Sequence, residues 1–178
     1  MALKPTIYKI KIDLSNTDQG HYDSYPLTIA LHPSETPERM MARVLAFCIN
    51  AQDGLTFTRG LSAIEEPDIW SHSLDGQINL WIDVGEPRAD RIKKSSRLAS
   101  RVRIYSFNAK SDVWWRQEIK QKVNPKTSVF RFEWPSIQAL ALLLERTMTM
   151  AVIITDDSAY IATEKGECEV SWRELQTL

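Results

Sequence analysis

Several features that define large protein classes are scarce or missing in this sequence. The 178 residues include 6 glycines and 8 prolines, too few for a collagen-like or low-complexity chain. The longest apolar stretch, near residues 137–144, is interrupted and far shorter than the roughly 18 residues of a membrane span. The two cysteines, Cys48 and Cys168, fit no metal-ligand spacing, so we expect core or bystander residues. The start, MALKPTIYKIKID, lacks the apolar core of a signal peptide, and we expect a cytoplasmic protein.

Motifs of several common enzyme classes are also missing. The sequence contains no Gly-x-Ser-x-Gly nucleophile elbow, no phosphate-binding loop and no glycine fingerprint for a dinucleotide. The composition, 43% hydrophobic and 25% charged, is typical of a folded protein with an apolar core. At this length we expect one domain over residues 1–178.

Charge is unevenly distributed along the chain, although the net charge is only −1. Residues 88–131 carry 13 basic and 3 acidic side chains, whereas both flanking segments are acidic. A basic segment of this kind can face the phosphates of a nucleic acid. It can also be a solvated surface whose charges pair with the acidic segments in the fold. The sequence leaves both interpretations open.

Alternation and helical periodicity predict an α/β chain with a mixed sheet. A helix begins at Thr36-Pro37, with Thr36 as N-cap, and elements over 36–107 follow the order helix, strand, strand, strand, helix, strand. Further strands precede and follow this core. The predicted strands cover residues 6–14, 24–32, 55–60, 67–74, 77–85, 102–107, 128–134, 150–155, 159–163 and 169–172. The predicted helices cover 37–50, 88–100, 112–122 and 135–148.

The dipeptide Asp75-Gly76 predicts a two-residue turn between two strands. With that turn, His72 faces Asn79, Trp70 faces Trp81, and Asp68 faces Asp83. These pairs lie on one side of the sheet because side chains alternate along a strand. A slip of one residue would place the two aspartates on opposite faces.

Two aspartates in that register have Cβ atoms only about 4.5–5.5 Å apart. Such a pair needs a raised pKa, a basic neighbour or a bound cation. A divalent cation held by carboxylate oxygens is the alternative with a chemical purpose, and Glu38 in the first turn of the first helix is a candidate third carboxylate. Alternatively, Asp68 and Asp83 are exposed residues at strand ends, and Glu38 is there because acidic residues are favoured at a helix start.

The aromatic and histidine residues of the same face allow two interpretations each. Trp70 and Trp81 can form a platform for a nucleic-acid base or pack in the core under the helix that begins at Pro37. His72 can transfer protons near the acid pair or be an ordinary polar surface residue.

At these residues the sequence resembles the YaeQ family, over essentially the whole chain. The resemblance is carried by GLTFTRGLSAIEEPDIW (54–70), INLWIDVGEP (78–87) and RIKKSSRLASRVRIYSFN (91–108). This family is regarded as a divergent branch of the PD-(D/E)XK nuclease-like fold, whose core has the element order predicted for residues 36–107.

The resemblance implies a set of metal ligands and a reaction. Pro67-Asp68 matches the first half of the nuclease motif, and Asp83 matches the acidic residue of the second half. Both would bind Mg²⁺ or Mn²⁺, together with Glu38 and the backbone carbonyl of Val84. The metal in such nucleases activates a water that cleaves a phosphodiester.

The sequence departs from the nuclease motif at Gly85, where the motif has lysine. In some branches the lysine moves to the following helix, where Lys93, Lys94 and Arg91 are the candidates. Lys93 is preferred because it flanks the inner face set by Ile92, as Arg91 also does. All three can equally be surface charges.

Two functions therefore remain open. The first is a Mg²⁺-dependent nuclease that holds the phosphate backbone through Arg88, Arg91, Arg97 and Arg101. The second is a protein that keeps the nuclease fold without cleavage and binds nucleic acid or a protein partner.

Overall fold

The structure is a computed structural model that describes residues 3–175. Its helices are α1 (Pro37–Asn50), α2 (Ala89–Leu98), α3 (Ser111–Trp114) and α4 (Trp134–Ala141). Its strands are β1 (Thr6–Asn16), β2 (His21–Leu31), β3 (Thr56–Phe57), β4 (Ile69–His72), β5 (Ile78–Val84), β6 (Ala99–Ser106), β7 (Thr127–Phe132), β8 (Thr147–Thr155), β9 (Ser158–Thr163) and β10 (Gly166–Glu174). None of the helices within residues 3–175 combines the length and apolar character that a membrane span requires.

The chain divides into two compact units. The first consists of the residues up to Ile49 together with Glu133–Trp172, and the second of Asn50–Phe132 with the described residues after Trp172. A mixed α/β fold with strands before and after residues 36–107 is therefore confirmed. That the chain forms one domain stays a prediction.

The first unit is built on strands in the order β2-β1-β8-β9-β10. The predicted antiparallel pair of the first two strands is confirmed, with Thr6 opposite Leu31 at one end. Strand β1 also pairs in parallel with β8.

The backbone N–H of Arg39 donates to the Thr36 hydroxyl (3.2 Å), so Thr36 caps α1 as predicted. Cys48 is buried in α1 and Cys168 is half-buried.

The second unit carries the candidate site. Its strands lie in the order β7-β6-β5-β4-β3, with β5, β6 and β7 parallel and the β3–β4 and β4–β5 pairs antiparallel. The apolar core packs β5 and β6 against α2 and α3. It contains Trp81, Ile92, Ala99, Val102, Ile104, Trp114, Trp115, Ile119 and Val129. Strand β5 is buried from Leu80 to Val84, as expected for a strand covered on both faces.

The predicted element order over 36–107 is present as α1, β3, β4, β5, α2 and β6. Several predicted boundaries are wrong; the helix predicted over 88–100, for example, ends at Leu98, and β6 begins at Ala99. The strand predicted over 55–60 is reduced to the two residues of β3, and Gly60–Ser62 forms a 3₁₀ turn. The helix predicted over 135–148 already ends at Ala141. Residues Thr147–Thr155 instead alternate between exposed and buried positions, a period that fits a half-buried strand rather than a helix.

The β4–β5 hairpin has a different turn from the predicted one. The N–H of Ser73 donates to the carbonyl of Gln77 (2.8 Å), which encloses a loop of three residues, Leu74, Asp75 and Gly76. Gly76 has φ +84°, a left-handed conformation that glycine adopts without strain.

A β-bulge next to this loop restores the predicted register further along the hairpin. His72 pairs with Ile78 rather than with Asn79, so the predicted His72–Asn79 pair is wrong. Asn79 is an extra residue that offsets the longer loop. Trp70 then pairs with Trp81 and Ile69 with Ile82, as predicted. The predicted register therefore holds as far as the Ile69–Ile82 pair, and Asp68 lies just beyond it, with its N–H bound to the carbonyl of Ile82 (3.0 Å).

Candidate acid–arginine site

Two buried aspartates lie at the ends of the paired strands β4 and β5. Asp68 directly precedes β4 and is 4% exposed, and Asp83 is the penultimate residue of β5 and is 3% exposed. The N–H of Asp68 donates to the carbonyl of Ile82 (3.0 Å). The Asp68 carboxylate accepts the N–H of Val84 through Oδ2 (2.8 Å). These bonds hold the Asp68 side chain against the β5 backbone, next to Asp83.

Arg91 neutralises the second carboxylate of this pair. Its Nε donates to Oδ2 of Asp83 (2.9 Å) and its Nη2 donates to Oδ1 (3.0 Å). The contact is a bidentate ion pair, the geometry that suits a guanidinium and a carboxylate best. Asp83 is thus stabilised by a basic neighbour, one of the three solutions open to two adjacent carboxylates.

The remaining donors of Arg91 bind the loop that precedes Pro67. Nη1 donates to the carbonyl of Ile64 (2.5 Å) and Nη2 to the carbonyl of Glu66 (2.9 Å). The guanidinium carbon also lies 5.9 Å from the centre of the Trp81 ring, within the range of a cation–π contact. One side chain from the first turn of α2 therefore ties together strand β5, helix α2 and the loop at 63–66.

The electrostatics of Asp83 follow from its position. Burial raises the pKa of the Asp83 carboxyl above its ordinary value, while the Arg91 guanidinium opposes this rise and the charge of Asp68 adds to it. Burial is the largest of these contributions, because removing a charge from water costs more than partial pairing returns. The Asp68 carboxylate is bound at the N–H of Val84, the residue after Asp83, which brings its charge near that of Asp83.

Gly85 explains why a lysine does not follow Val84. Gly85 has φ +118°, a conformation in which a residue with a side chain is strained. A Cβ atom placed there meets nothing within 4 Å, so the backbone angle and not the available space requires glycine. Its N–H donates to the carbonyl of Tyr105 (2.8 Å), which fixes this backbone conformation.

The two lysines proposed in place of the motif lysine lie on different cavities. Lys94 lines a cavity of about 340 Å³ beside Arg91 and Trp81. Lys93 lines a second cavity, of about 910 Å³, together with Arg97. Among the contacts of residues 3–175, the ion pair with Asp83 is made by Arg91. A catalytic role for Lys93 or Lys94 stays a prediction.

The other predicted ligands are placed as follows. Val84, next to Asp83 at the end of β5, is buried. Glu38 lies in the first turn of α1, in the unit that does not contain the aspartates. Within the described residues, His, Cys, Asp and Glu side chains form no group of three or more that could hold a metal ion.

The aromatic residues of this face have separate environments. Trp81 is 3% exposed and belongs to the core cluster with Ile92 and Trp114, so it packs under α2 and α3 rather than presenting an open surface for a base. Trp70 is half-buried, and its ring lies 4.7 Å from that of His72 in an edge-to-face arrangement.

The proposed phosphate-binding arginines also differ from one another. Arg88, Arg97 and Arg101 are exposed, and Arg88 has a long ion pair with Asp90 (3.6 Å). Arg91 is only 32% exposed and is used in the site itself. The anchoring of Arg91 by two backbone carbonyls was not predicted, because the sequence carries no signal for a contact between residues 25 and 27 positions apart.

Known proteins match this chain over nearly its whole length. The sequence model of the family described as "YaeQ protein" matches residues 1–172. The chain belongs to the YaeQ family. The uncharacterized YaeQ protein of Escherichia coli (strain K12) is 36% identical over 173 residues, covering 96% of each chain. That of Salmonella typhi is 37% identical over 172 residues, covering 96% of this chain and 95% of the relative.

Solved YaeQ structures share the architecture. The crystal structure of the YaeQ protein from Xanthomonas axonopodis pv. citri has a TM-score of 0.91 at 31% identity, covering 98% of this chain and 99% of the other. The YaeQ protein from Pseudomonas syringae has a TM-score of 0.88 at 33% identity, covering 98% and 97%. The predicted membership of the YaeQ family is thus confirmed.

Proposed function

We propose that this YaeQ protein keeps a PD-(D/E)XK nuclease-like core and binds nucleic acid without cleaving it. The observation that carries this proposal is the bidentate ion pair between Arg91 and Asp83. In this proposal the guanidinium stands where a nuclease of this type would place its metal ion. The acid pair then serves to fix the start of α2 and the loop before Pro67.

The nuclease-like core is supported by the order and placement of elements. Helix α1, strands β3 to β5, helix α2 and strand β6 follow one another as that core requires. Asp68 follows Pro67 at the start of β4, and Asp83 lies near the end of β5, as in the two halves of the motif. The chain departs from the motif at Gly85 and in the arginine that contacts Asp83.

The donor set fits a divalent metal poorly as it stands. Both oxygens of Asp83 already accept N–H groups of Arg91, and one oxygen of Asp68 accepts the N–H of Val84. Mg²⁺ requires near-octahedral oxygen coordination, and a positively charged guanidinium on the same carboxylate repels it. Binding a metal at Asp83 would therefore require Arg91 to leave.

Nucleic acid is the proposed partner because of the charge on the second unit. The segment 88–131 has 13 basic and 3 acidic side chains, and it lies entirely within that unit. Some of these cations are paired with carboxylates, as Arg91 is with Asp83, whereas others, such as Arg97 and Arg101, are exposed. Exposed cations of this kind bind phosphates and release condensed counterions. This contribution is independent of the base sequence and needs no metal.

Metal binding and cleavage are tested together. Thermal unfolding is measured with and without millimolar Mg²⁺ or Mn²⁺, on the wild type and on Asp83→Asn. Ligand at 100 times its Kd would stabilise the native state by about 2.7 kcal/mol. We expect no shift that depends on Asp83, no nicking of plasmid DNA, and DNA binding that persists in EDTA. A metal-induced rise in Tm that Asp83→Asn abolishes, with nicking that Asp68→Ala abolishes, would overturn the proposal.

A Mg²⁺-dependent nuclease is the second candidate, favoured by one observation. Asp68 and Asp83 are both buried, and the charge of Asp68 adds to the rise of the Asp83 pKa. Two carboxylates in this arrangement are a starting point for a cation site. The metal titration above distinguishes the candidates, because only this one predicts a metal-induced stabilisation that depends on Asp83.

A further inference from the structure

A large open groove in the second unit lies beside α2, and we call it the α2 groove. Its volume is about 910 Å³. Four basic side chains line it: Lys93 and Arg97 from α2, and Lys122 and Lys126 from the segment before β7. Asp90 is the acidic residue in the lining. The groove therefore brings together four positive charges from two separate parts of the chain.

The second wall of the groove has a fixed backbone. The N–H of Lys126 donates to the side-chain oxygen of Asn124 (3.0 Å), and the N–H of Thr127 donates to the Asn124 carbonyl (3.0 Å). The carbonyl of Lys126 in turn accepts the N–H of Val102 at β6 (3.0 Å). The loop is thus attached to the sheet, and its lysines are held opposite α2.

Within the described part of the chain, the charges of the α2 groove are not compensated by carboxylates, although the Lys126 Nζ donates to the carbonyl of Ser96 (3.5 Å). All four basic residues are exposed, and within residues 3–175 none of them has an ion pair to a carboxylate. Asp90 instead lies 3.6 Å from Arg88. Lys93 and Arg97 are four positions apart on one helix face, a spacing at which like charges repel. An arrangement of this kind is stabilised by an anionic ligand that supplies the missing negative charges.

We propose that the α2 groove binds the phosphate backbone of nucleic acid. This inference rests on the proposed function and specifies the surface that performs it. The apolar part of the lining is aliphatic and consists of Ala89, Ile92 and Pro125. Contacts are made to phosphates, so binding depends strongly on salt and weakly on base sequence.

The test compares variants that carry the same change of charge. One groove variant is Lys93→Gln with Arg97→Gln, and a second is Lys122→Gln with Lys126→Gln. The control is Lys110→Gln with Lys120→Gln, two exposed lysines of the same basic segment that do not line the α2 groove. Fluorescence anisotropy with labelled duplex and single-stranded DNA gives the affinity over a range of salt concentrations. Thermal unfolding shows whether each variant remains folded.

Each groove variant removes two phosphate contacts. The slope of log K against log salt should therefore decrease in magnitude by about 1.8 for duplex DNA. The control should retain the wild-type slope. Comparison of the affinities for duplex and single-stranded DNA shows which of the two the groove prefers.

Two results would overturn the inference, and they can be told apart. If the wild type binds neither form of DNA, both the proposed function and the groove assignment fail. If the wild type binds DNA but the control weakens binding more than either groove variant, the groove assignment fails and the proposed function stands.

Discussion

Arg91 is the residue on which the arrangement of the acid pair depends. Its side chain makes two hydrogen bonds to Asp83 and two to backbone carbonyls. Replacing it by glutamine would leave a buried carboxylate without its counter-charge. Because Arg91 is 32% exposed, water would compensate part of this loss. We expect Arg91→Gln to lower the free energy of unfolding by about 2–3 kcal/mol, measured by urea denaturation.

Asp83→Asn provides the matched control for this prediction. In the double variant Arg91→Gln with Asp83→Asn, the Asp83 charge is removed together with its partner. We expect its destabilisation to be smaller than the sum of the two single changes by about 1 kcal/mol or more. Additive single and double variants would show that the ion pair does not hold the site together.

The raised pKa of Asp83 gives a stability effect of known sign. Between the ordinary value of 3.8 and the raised native value, the native state keeps a proton that the unfolded state has lost. Stability contributed by this group is therefore present at low pH and is lost as the pH rises through that window. The free energy of unfolding of the wild type, relative to Asp83→Asn, should fall as the pH rises from about 3.5 towards neutrality. A difference that rises with pH would contradict the assignment.

At the scale of elements, Glu86 connects the end of β5 to the start of α3. Its Oε1 accepts the N–H of Phe107 (3.1 Å), the N–H of Asn108 (2.9 Å) and the hydroxyl of Ser111 (2.8 Å). The neighbouring carbonyl of Pro87 accepts the indole N–H of Trp114 (2.9 Å). One carboxylate thus satisfies donors of the turn that begins α3.

Removing this acceptor should loosen α3. We expect Glu86→Ala to cost about 2–3 kcal/mol in urea denaturation, because three hydrogen bonds to a charged acceptor are lost. Glu86→Gln keeps an oxygen in the same place and should cost about 1 kcal/mol or less. Equal losses in the two variants would show that the charge rather than the hydrogen bonds matters. Hydrogen exchange at residues 107–114 would locate the effect.

The elements that the sequence predicted best are those with strong local signals. Thr36-Pro37 marks the start of α1, and the alternation in β1 and β2 marks a half-buried strand pair. The early end of α4 was missed because apolar residues continue beyond Ala141, and Leu142 is exposed there. The bulge at Asn79 was missed because one extra residue in a loop leaves no mark on the local pattern.

The sequence singled out the two acidic residues of the candidate site, but it did not identify Arg91 as the cation that pairs with Asp83. The hairpin register predicted neighbouring positions for Asp68 and Asp83, and the longer loop and the bulge compensate each other, so that the pairs from Ser71 to Ile69 keep the predicted register. Helical periodicity places Arg91 and Lys93 on either side of Ile92 and cannot choose between them. Arg91 rather than Lys93 occupies the site because its guanidinium also donates to the carbonyls of Ile64 and Glu66, which belong to a loop distant in sequence. Such long-range contacts are set by the tertiary fold.

At the scale of the whole molecule, positive and negative charges nearly cancel, but they are concentrated in different segments of the sequence. The net charge is −1, with the basic residues concentrated in 88–131. We expect the protein to be retained by phosphocellulose near neutral pH, since a local positive surface binds phosphate whatever the net charge. The variant with all four groove cations changed to glutamine should elute at lower salt. A wild type that passes through the column unretained would contradict this.

The hairpin between β4 and β5 has a practical consequence. Leu74, at the tip of the hairpin loop, is fully exposed. The bulge compensates for the extra loop residue, so the loop length does not alter the pairing of Trp70 with Trp81. A fluorescent reporter or a short peptide tag attached at this tip would stand in solvent, away from the aspartates. The loop thus offers an attachment point for following DNA binding without disturbing the aspartates or the α2 groove.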